Sequence, residues 1–153
     1  MSQPQAQPQG ARRRSREYAL QLLYSFDAQG MRTVDVNHSV RHFWNSFEDE
    51  PDLAVKDFCE TLVRGVTEHL IDLDSLIQAV SKNWRLDRMA RVDRNILRLA
   101  SYELRFGKEA PARVIINEAI EIAKRFGTAE SPAFVNGLLD RIAQETGGME
   151  ETG

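Results

Sequence analysis

Apolar residues recur along the chain at intervals of three and four, the spacing of one face of an α-helix. Sustained alternation of apolar and polar residues, which would indicate β-strands, is absent from the sequence. Seven helices are predicted, beginning near Arg14, Asp35, Leu53, Asp72 and Arg88, after Pro111 and at Ser131. Because the connections are short, we expect an all-α domain of two small packed bundles, at about 14–69 and about 72–144.

The two ends of the chain differ from this pattern. Residues 1–10 are rich in glutamine, proline and glycine and have no large apolar residue after Met1, so burial cannot offset the entropy of ordering them. The C-terminal end consists mostly of small and acidic residues. We therefore predict a disordered tail at 1–10, an all-helical domain at 11–146 and a second disordered tail at 147–153.

Two local features inside the helices carry further predictions. Gly65 in the third helix costs roughly 1 kcal/mol relative to alanine, and a close helix–helix contact would explain its presence. The seventh helix opens with Ser131, predicted as its N-cap, followed by Pro132 at the first helical position.

Composition narrows the class of protein. The chain has 153 residues, one domain's worth, and a single cysteine, Cys59. One cysteine excludes an intramolecular disulfide and a cysteine-based zinc cluster, and it fits a reducing, cytoplasmic setting. The sequence has no run of about 18 apolar residues, so we expect no membrane-spanning helix.

Net charge is unevenly distributed. The total of −3, from 20 basic and 23 acidic residues, argues by itself against a nucleic-acid binder. However, residues 1–30 carry net +2, from four basic and two acidic residues, and residues 82–113 carry net +5, from nine basic and four acidic residues. The intervening segment, 31–81, carries net −6, from four basic and ten acidic residues. The total thus hides two basic islands.

The first basic island lies where the predicted tail meets the first helix, and consists of Arg12, Arg13, Arg14 and Arg16. It reads equally well as a solvated arm or as a set of phosphate contacts, for which the planar arginine fork is suited. The second island contains an arginine stripe, which lies within about 60° on a helical wheel. The stripe consists of Arg91, Arg94, Arg98 and Arg105. It is either a solvated helix face or, like the first island, a set of phosphate contacts.

Enzyme chemistry is not indicated by the sequence. His38 and His42 are four residues apart, but no third metal ligand accompanies them. No glycine-rich phosphate loop or nucleophile elbow is present, and Cys59 has apolar neighbours at helical spacing, typical of a core residue. We expect neither catalysis, nor a metal site, nor a cofactor.

Four segments together resemble the bacterial transcription antitermination NusB family in order and spacing, over nearly all of 11–144. They are RRRSREYALQLLY at 12–24, VDRNILRLASYEL at 92–104, VIINEAIEIAKRFG at 114–127 and FVNGLLD at 134–140. The resemblance implies an all-α fold of two packed three-helix bundles. It also implies a non-enzymatic adaptor that pairs with NusE, a small-subunit ribosomal protein. The pair would bind single-stranded boxA RNA of ribosomal RNA leaders within the RNA polymerase antitermination complex.

The resemblance also implies which residues act. The implied RNA contacts are the first basic island together with Lys124, Arg125, Gly127, Ser131 and Phe134. Phe134 would stack on a base, with packing in the core as the alternative, and Glu130 would lower the affinity for phosphate. Asp87 and Asp93 are the implied NusE contacts. Two questions stay open: whether the protein is a helical adaptor that binds protein without specific RNA recognition, and whether it forms a homodimer.

Overall fold

A computed structural model describes residues 8–107 and 110–147, and at residues 8 and 9 the backbone alone. Within these ranges all regular structure is helical, as predicted, and seven α-helices are present. They are α1 Pro8–Gln29, α2 Val36–Asn45, α3 Leu53–Glu68, α4 Leu70–Val80, α5 Arg91–Phe106, α6 Ala112–Phe126 and α7 Ser131–Glu145, with a short 3₁₀-helix at Leu86–Arg88 before α5.

The first helix begins earlier than the sequence indicates. α1 starts at Pro8, not near Arg14, because proline is tolerated in the first turn of a helix, where its missing N–H has no helical partner. Residues 8–10 of the predicted N-terminal tail are therefore helical. The rest of that tail, 1–7, and residues 148–153 of the predicted C-terminal tail lie outside the described residues.

The chain divides into two compact units, one ending at Arg64 and the other beginning at Gly65. The first holds α1, α2 and most of α3; the second holds the last turn of α3 and α4 to α7. A Cβ on Gly65 would clash with Cζ, Cε1 and the hydroxyl oxygen of Tyr102, on α5. The predicted close contact at Gly65 is thus confirmed, and it explains why the division precedes the predicted boundary at about 69–72.

In the first unit, α1 to α3 enclose an apolar core that includes Leu23, Phe26 and Cys59. Burial raises the pKa of the Cys59 thiol to about 12, and the neighbouring charge of Glu60 adds to the effect. Trp44 of α2 donates its indole N–H to Glu60 Oε2 at 2.9 Å, which satisfies the polar end of a buried ring. Cys59 is therefore a core residue, as predicted.

In the second unit α5 is the central helix, in contact with α4, α6 and α7. The interpretation of the arginine stripe as a solvated face is wrong for Arg98, which is 6% exposed. Its guanidinium binds both carboxylate oxygens of Asp74, at 2.8 and 3.0 Å, and donates to Asn95 Oδ1 at 3.0 Å. The helical wheel gave no sign of this because it shows the faces of α5 and not the helices around it.

The other arginines of the stripe separate into two kinds. Arg94 is half-buried and donates to the carbonyls of Leu86 and Met89, both at 3.2 Å, so it holds the turn before α5. Arg91 and Arg105 are exposed. The stripe is therefore not one continuous surface.

Among the described residues no helix has the length and apolar character needed to cross a membrane.

Candidate nucleic-acid interface

The first basic island lies inside α1, whose early start places these arginines in the second and third turns of the helix. Arg14 is exposed, Arg12 and Arg13 are half-buried, and Arg16 is only 4% exposed. The guanidinium carbons of Arg12 and Arg16 lie 4.0 and 5.5 Å from the centre of the Phe58 ring. Cation–π contacts of this kind hold the charge against α3.

A hydrogen bond fixes the same turn of α1. Ser15 Oγ, which is buried, donates to the carbonyl of Val55 on α3 at 2.8 Å. At 100° per residue, Arg14 points about 160° away from both Arg12 and Arg16. The island therefore divides into an inner pair that packs on Phe58 and an outward cation, Arg14, with Arg13 between them.

The second group of predicted RNA contacts surrounds the connection between α6 and α7. Lys124 and Arg125 are exposed in the last turn of α6, where cations favour the negative end of the helix dipole. Lys124 Nζ lies 3.2 Å from Glu121 Oε2, and the Arg125 guanidinium carbon is 5.2 Å from the centre of the Phe126 ring. Both cations remain on the surface of the second unit.

Ser131 does not face the solvent. It is 1% exposed, and its hydroxyl donates to Asp93 Oδ1 at 2.6 Å and accepts from the Thr128 N–H at 2.9 Å. The prediction of Ser131 as the N-cap is wrong, since Glu130 occupies the cap position and the hydroxyl turns back into the loop. Gly127 is required by this arrangement, because a Cβ there would lie 2.6 Å from the Ser131 Cβ.

Phe134 is half-buried in the first turn of α7. Its exposure lies between that expected for a ring that stacks on a base and that expected for a core residue. Its ring makes an edge-to-face contact with Trp84, with 6.3 Å between ring centres and 86° between planes. The sequence analysis missed Trp84, which is 57% exposed. The sequence did contain a sign of this exposure: Trp84 lies among basic residues, at the end of a predicted helix, and belongs to no apolar helix face.

The acidic candidates occupy three different settings. Asp87 is exposed and pairs with Arg85 at 3.0 Å. Asp93, a predicted partner contact, is half-buried and accepts the Ser131 hydrogen bond described above. Glu130 is exposed in the α6–α7 loop and accepts a hydrogen bond from the Thr128 hydroxyl at 3.3 Å.

The predicted RNA residues thus form two groups, one in each unit. The first unit holds the arginines of α1, and the second holds Lys124, Arg125 and Phe134 around a loop built by Gly127 and Ser131. In the described part of the chain, no group of three or more His, Cys, Asp or Glu side chains is placed to hold a metal ion. The two groups of predicted RNA residues present cations and partly exposed aromatic rings.

Comparisons with known proteins identify the family of the chain. The family model described as the NusB family matches residues 13–144. The transcription antitermination protein NusB of Geobacter sulfurreducens is 51% identical over 135 residues, which cover 88% of this chain and 94% of that protein. A structure of T. maritima NusB superposes with a TM-score of 0.80 at 39% identity and covers 99% of both chains.

A further solved structure is a crystal structure of the antitermination factors NusB and NusE in complex with dsRNA. It is 25% identical to this chain, has a TM-score of 0.76 and covers 88% of this chain and 97% of that one. The family match spans α1 to α7 almost entirely, and the relatives match over nearly their whole length. The chain therefore belongs to the NusB family.

Proposed function

We propose that the protein is a transcription antitermination factor that binds boxA-type single-stranded RNA of ribosomal RNA leaders together with NusE. In this role it acts in the cytoplasm, within the RNA polymerase antitermination complex, and supports processive ribosomal RNA transcription. The observation that carries the proposal is the α6–α7 surface, where the exposed cations Lys124 and Arg125 and the half-exposed ring of Phe134 flank one ordered loop.

This surface has the chemistry that single-stranded RNA requires. Cations neutralise phosphates, and aromatic rings stack on unpaired bases, whose faces are accessible only outside a duplex. The relative solved with NusE and dsRNA supports contact with RNA and NusE in this family. Stacking by Phe134 predicts a preference for unpaired over paired RNA.

The remaining predicted residues take defined roles in the proposal. Arg13 and Arg14 contact phosphate, while Arg12 and Arg16 hold α1 on Phe58 and supply longer-range positive potential. Glu130, exposed in the α6–α7 loop, repels phosphate and keeps the affinity moderate.

Gly127 and Ser131 act by shaping the loop. For NusE, Asp87 is the stronger candidate contact, since its carboxylate is exposed, whereas Asp93 is half-buried and accepts a hydrogen bond from Ser131.

The experiment is fluorescence anisotropy with labelled boxA RNA, scrambled RNA of the same length and a boxA duplex, each with and without NusE. The variant Lys124→Ala/Arg125→Ala should weaken binding and reduce the log–log salt slope by about 1.4, at about 0.7 per cation for a single strand. Phe134→Ala should weaken binding with the slope unchanged, because it removes no charge.

Arg113→Ala is the matched control for charge. Arg113 is an exposed arginine on the same helix, eleven positions or about 16 Å from Lys124, so its loss should leave the slope nearly unchanged. Binding to NusE with no preference for boxA over scrambled RNA would contradict the proposal and would favour a purely protein-binding adaptor. A melted Phe134→Ala variant, measured by circular dichroism, would assign that ring to the core.

A further inference from the structure

Trp84 is a large apolar side chain that the fold leaves at the surface of the second unit. It lies in the connection between α4 and α5, and more than half of it is exposed. An indole is among the most apolar and polarisable groups in a protein, and solvated tryptophans are often recognition residues. Trp84 therefore contributes little to the core of the second unit.

The backbone of Trp84 is held firmly despite this exposure. Its carbonyl accepts hydrogen bonds from Gln78 Nε2 and Ser81 Oγ, both at 2.9 Å. Gln78 also donates to the Ser81 carbonyl at 3.0 Å and accepts from the Leu86 N–H at 2.8 Å. One glutamine of α4 thus fixes both sides of the loop, so little ordering entropy remains for a ligand to overcome.

The surroundings of Trp84 are cationic and aromatic. Its ring meets that of Phe134 edge to face, so the two rings form a single surface feature. The segment 82–91 carries four basic residues against one acidic residue, a net charge of +3. The basic residues are Lys82, Arg85, Arg88 and Arg91, all exposed. Such a field favours a polyanion over an apolar protein partner.

We propose that Trp84 stacks on an unpaired RNA base beside the one bound by Phe134, and that Gln78 is the positioning residue that fixes the backbone from which the indole projects. This inference rests on the proposed function and extends its RNA site to the α4–α5 connection. The perpendicular rings offer separate faces, so two unpaired nucleotides can be held while the cations of 82–91 bind their phosphates.

The first test uses the fluorescence of the protein itself, which has two tryptophans, the buried Trp44 and the exposed Trp84. Titration of boxA RNA should quench the emission of Trp84, and the Trp84→Phe variant should lose this quenching because only Trp44 remains. By anisotropy, Trp84→Ala should weaken boxA binding by about 5- to 150-fold, the range for loss of one stacked base, with an unchanged salt slope. Trp84→Phe should recover part of that loss.

Ile71→Ala is the matched control, since it removes another exposed apolar side chain from the same unit and should leave RNA binding unchanged. Gln78→Ala should weaken binding in the wild-type background but add little to Trp84→Ala, because its effect passes through the indole. Additive losses would make Gln78 merely structural and overturn its assigned role.

Equal boxA binding by Trp84→Ala and wild type would overturn the inference while leaving the proposed function intact. Weakened NusE binding with unchanged RNA binding would also overturn it, and would identify the surface as a protein contact. If the wild-type protein showed no preference for boxA over scrambled RNA even with NusE, the proposed function itself would fail, and the inference with it.

Discussion

Removal of the Ser131 hydroxyl tests the structural account of the α6–α7 loop. In Ser131→Ala the Asp93 carboxylate loses a 2.6 Å donor and the Thr128 N–H loses a 2.9 Å acceptor, at a site that is 1% exposed. A hydrogen bond to a charged group contributes about 1.5–3 kcal/mol and a neutral one about 1 kcal/mol. Because Asp93 is half-buried and water can reach it, we expect a loss of about 2–3 kcal/mol in the free energy of unfolding.

Thermal and urea unfolding measure this loss. For a chain of this length, about 2–3 kcal/mol lowers Tm by roughly 5–10 °C. RNA affinity should fall moderately with an unchanged salt slope, since the loop changes shape but loses no cation. Ser25→Ala, which removes an exposed hydroxyl from α1, is the control and should stay within about 0.5 kcal/mol. An unchanged Tm with a large loss of RNA affinity would refute this reasoning and make the Ser131 hydroxyl a direct RNA ligand.

Three other predictions concern the helices and the core. Gly65→Ala should destabilise the protein by about 1–3 kcal/mol, because the new methyl group meets the Tyr102 ring. Gly137→Ala, at an exposed position in the middle of α7, should stabilise it by about 0.5–1 kcal/mol. Equal effects of the two substitutions in urea unfolding would contradict this. Arg98→Ala should lower the free energy of unfolding by about 2–3 kcal/mol, since water can reach the partly exposed carboxylate of Asp74 that loses its partner, and it should leave the RNA salt slope unchanged. Cys59, with its pKa raised from 9.0 to about 12, should resist thiol reagents at pH 8 until the protein unfolds. Its contribution to stability should be complete below about pH 9 and be lost as the pH rises towards 12; rapid labelling of the folded protein would contradict its burial.

The sequence predicted the fold well because helical periodicity is a local signal. The residues of each helix define its apolar face. Gly65 indicated a close contact with another helix but did not show which helix makes it. The start of α1 was harder to predict, because proline and glycine near the N-terminus are compatible both with a tail and with a first helical turn.

The exposure of individual side chains could be predicted only where it depends on the position of the residue in its own helix. Lys124 and Arg125 are exposed as expected at a helix end, but Arg98 and Ser131 are buried by contacts with residues 24 and 38 positions away. A helical wheel contains no information about such contacts. Trp84 was missed because a half-exposed aromatic residue in a connection has no periodic pattern, and its proximity to Phe134 is visible only in three dimensions.

The proposed function is tested most directly by one titration that includes both NusE and boxA RNA. The Kd for boxA RNA is measured at increasing NusE, and the Kd for NusE at increasing boxA RNA, with scrambled RNA in parallel. If RNA and NusE bind together at coupled sites, each ligand strengthens the binding of the other by the same factor, as thermodynamic linkage requires, and scrambled RNA shows a smaller effect. Independent binding of the two ligands, with boxA and scrambled RNA bound equally, would contradict the account.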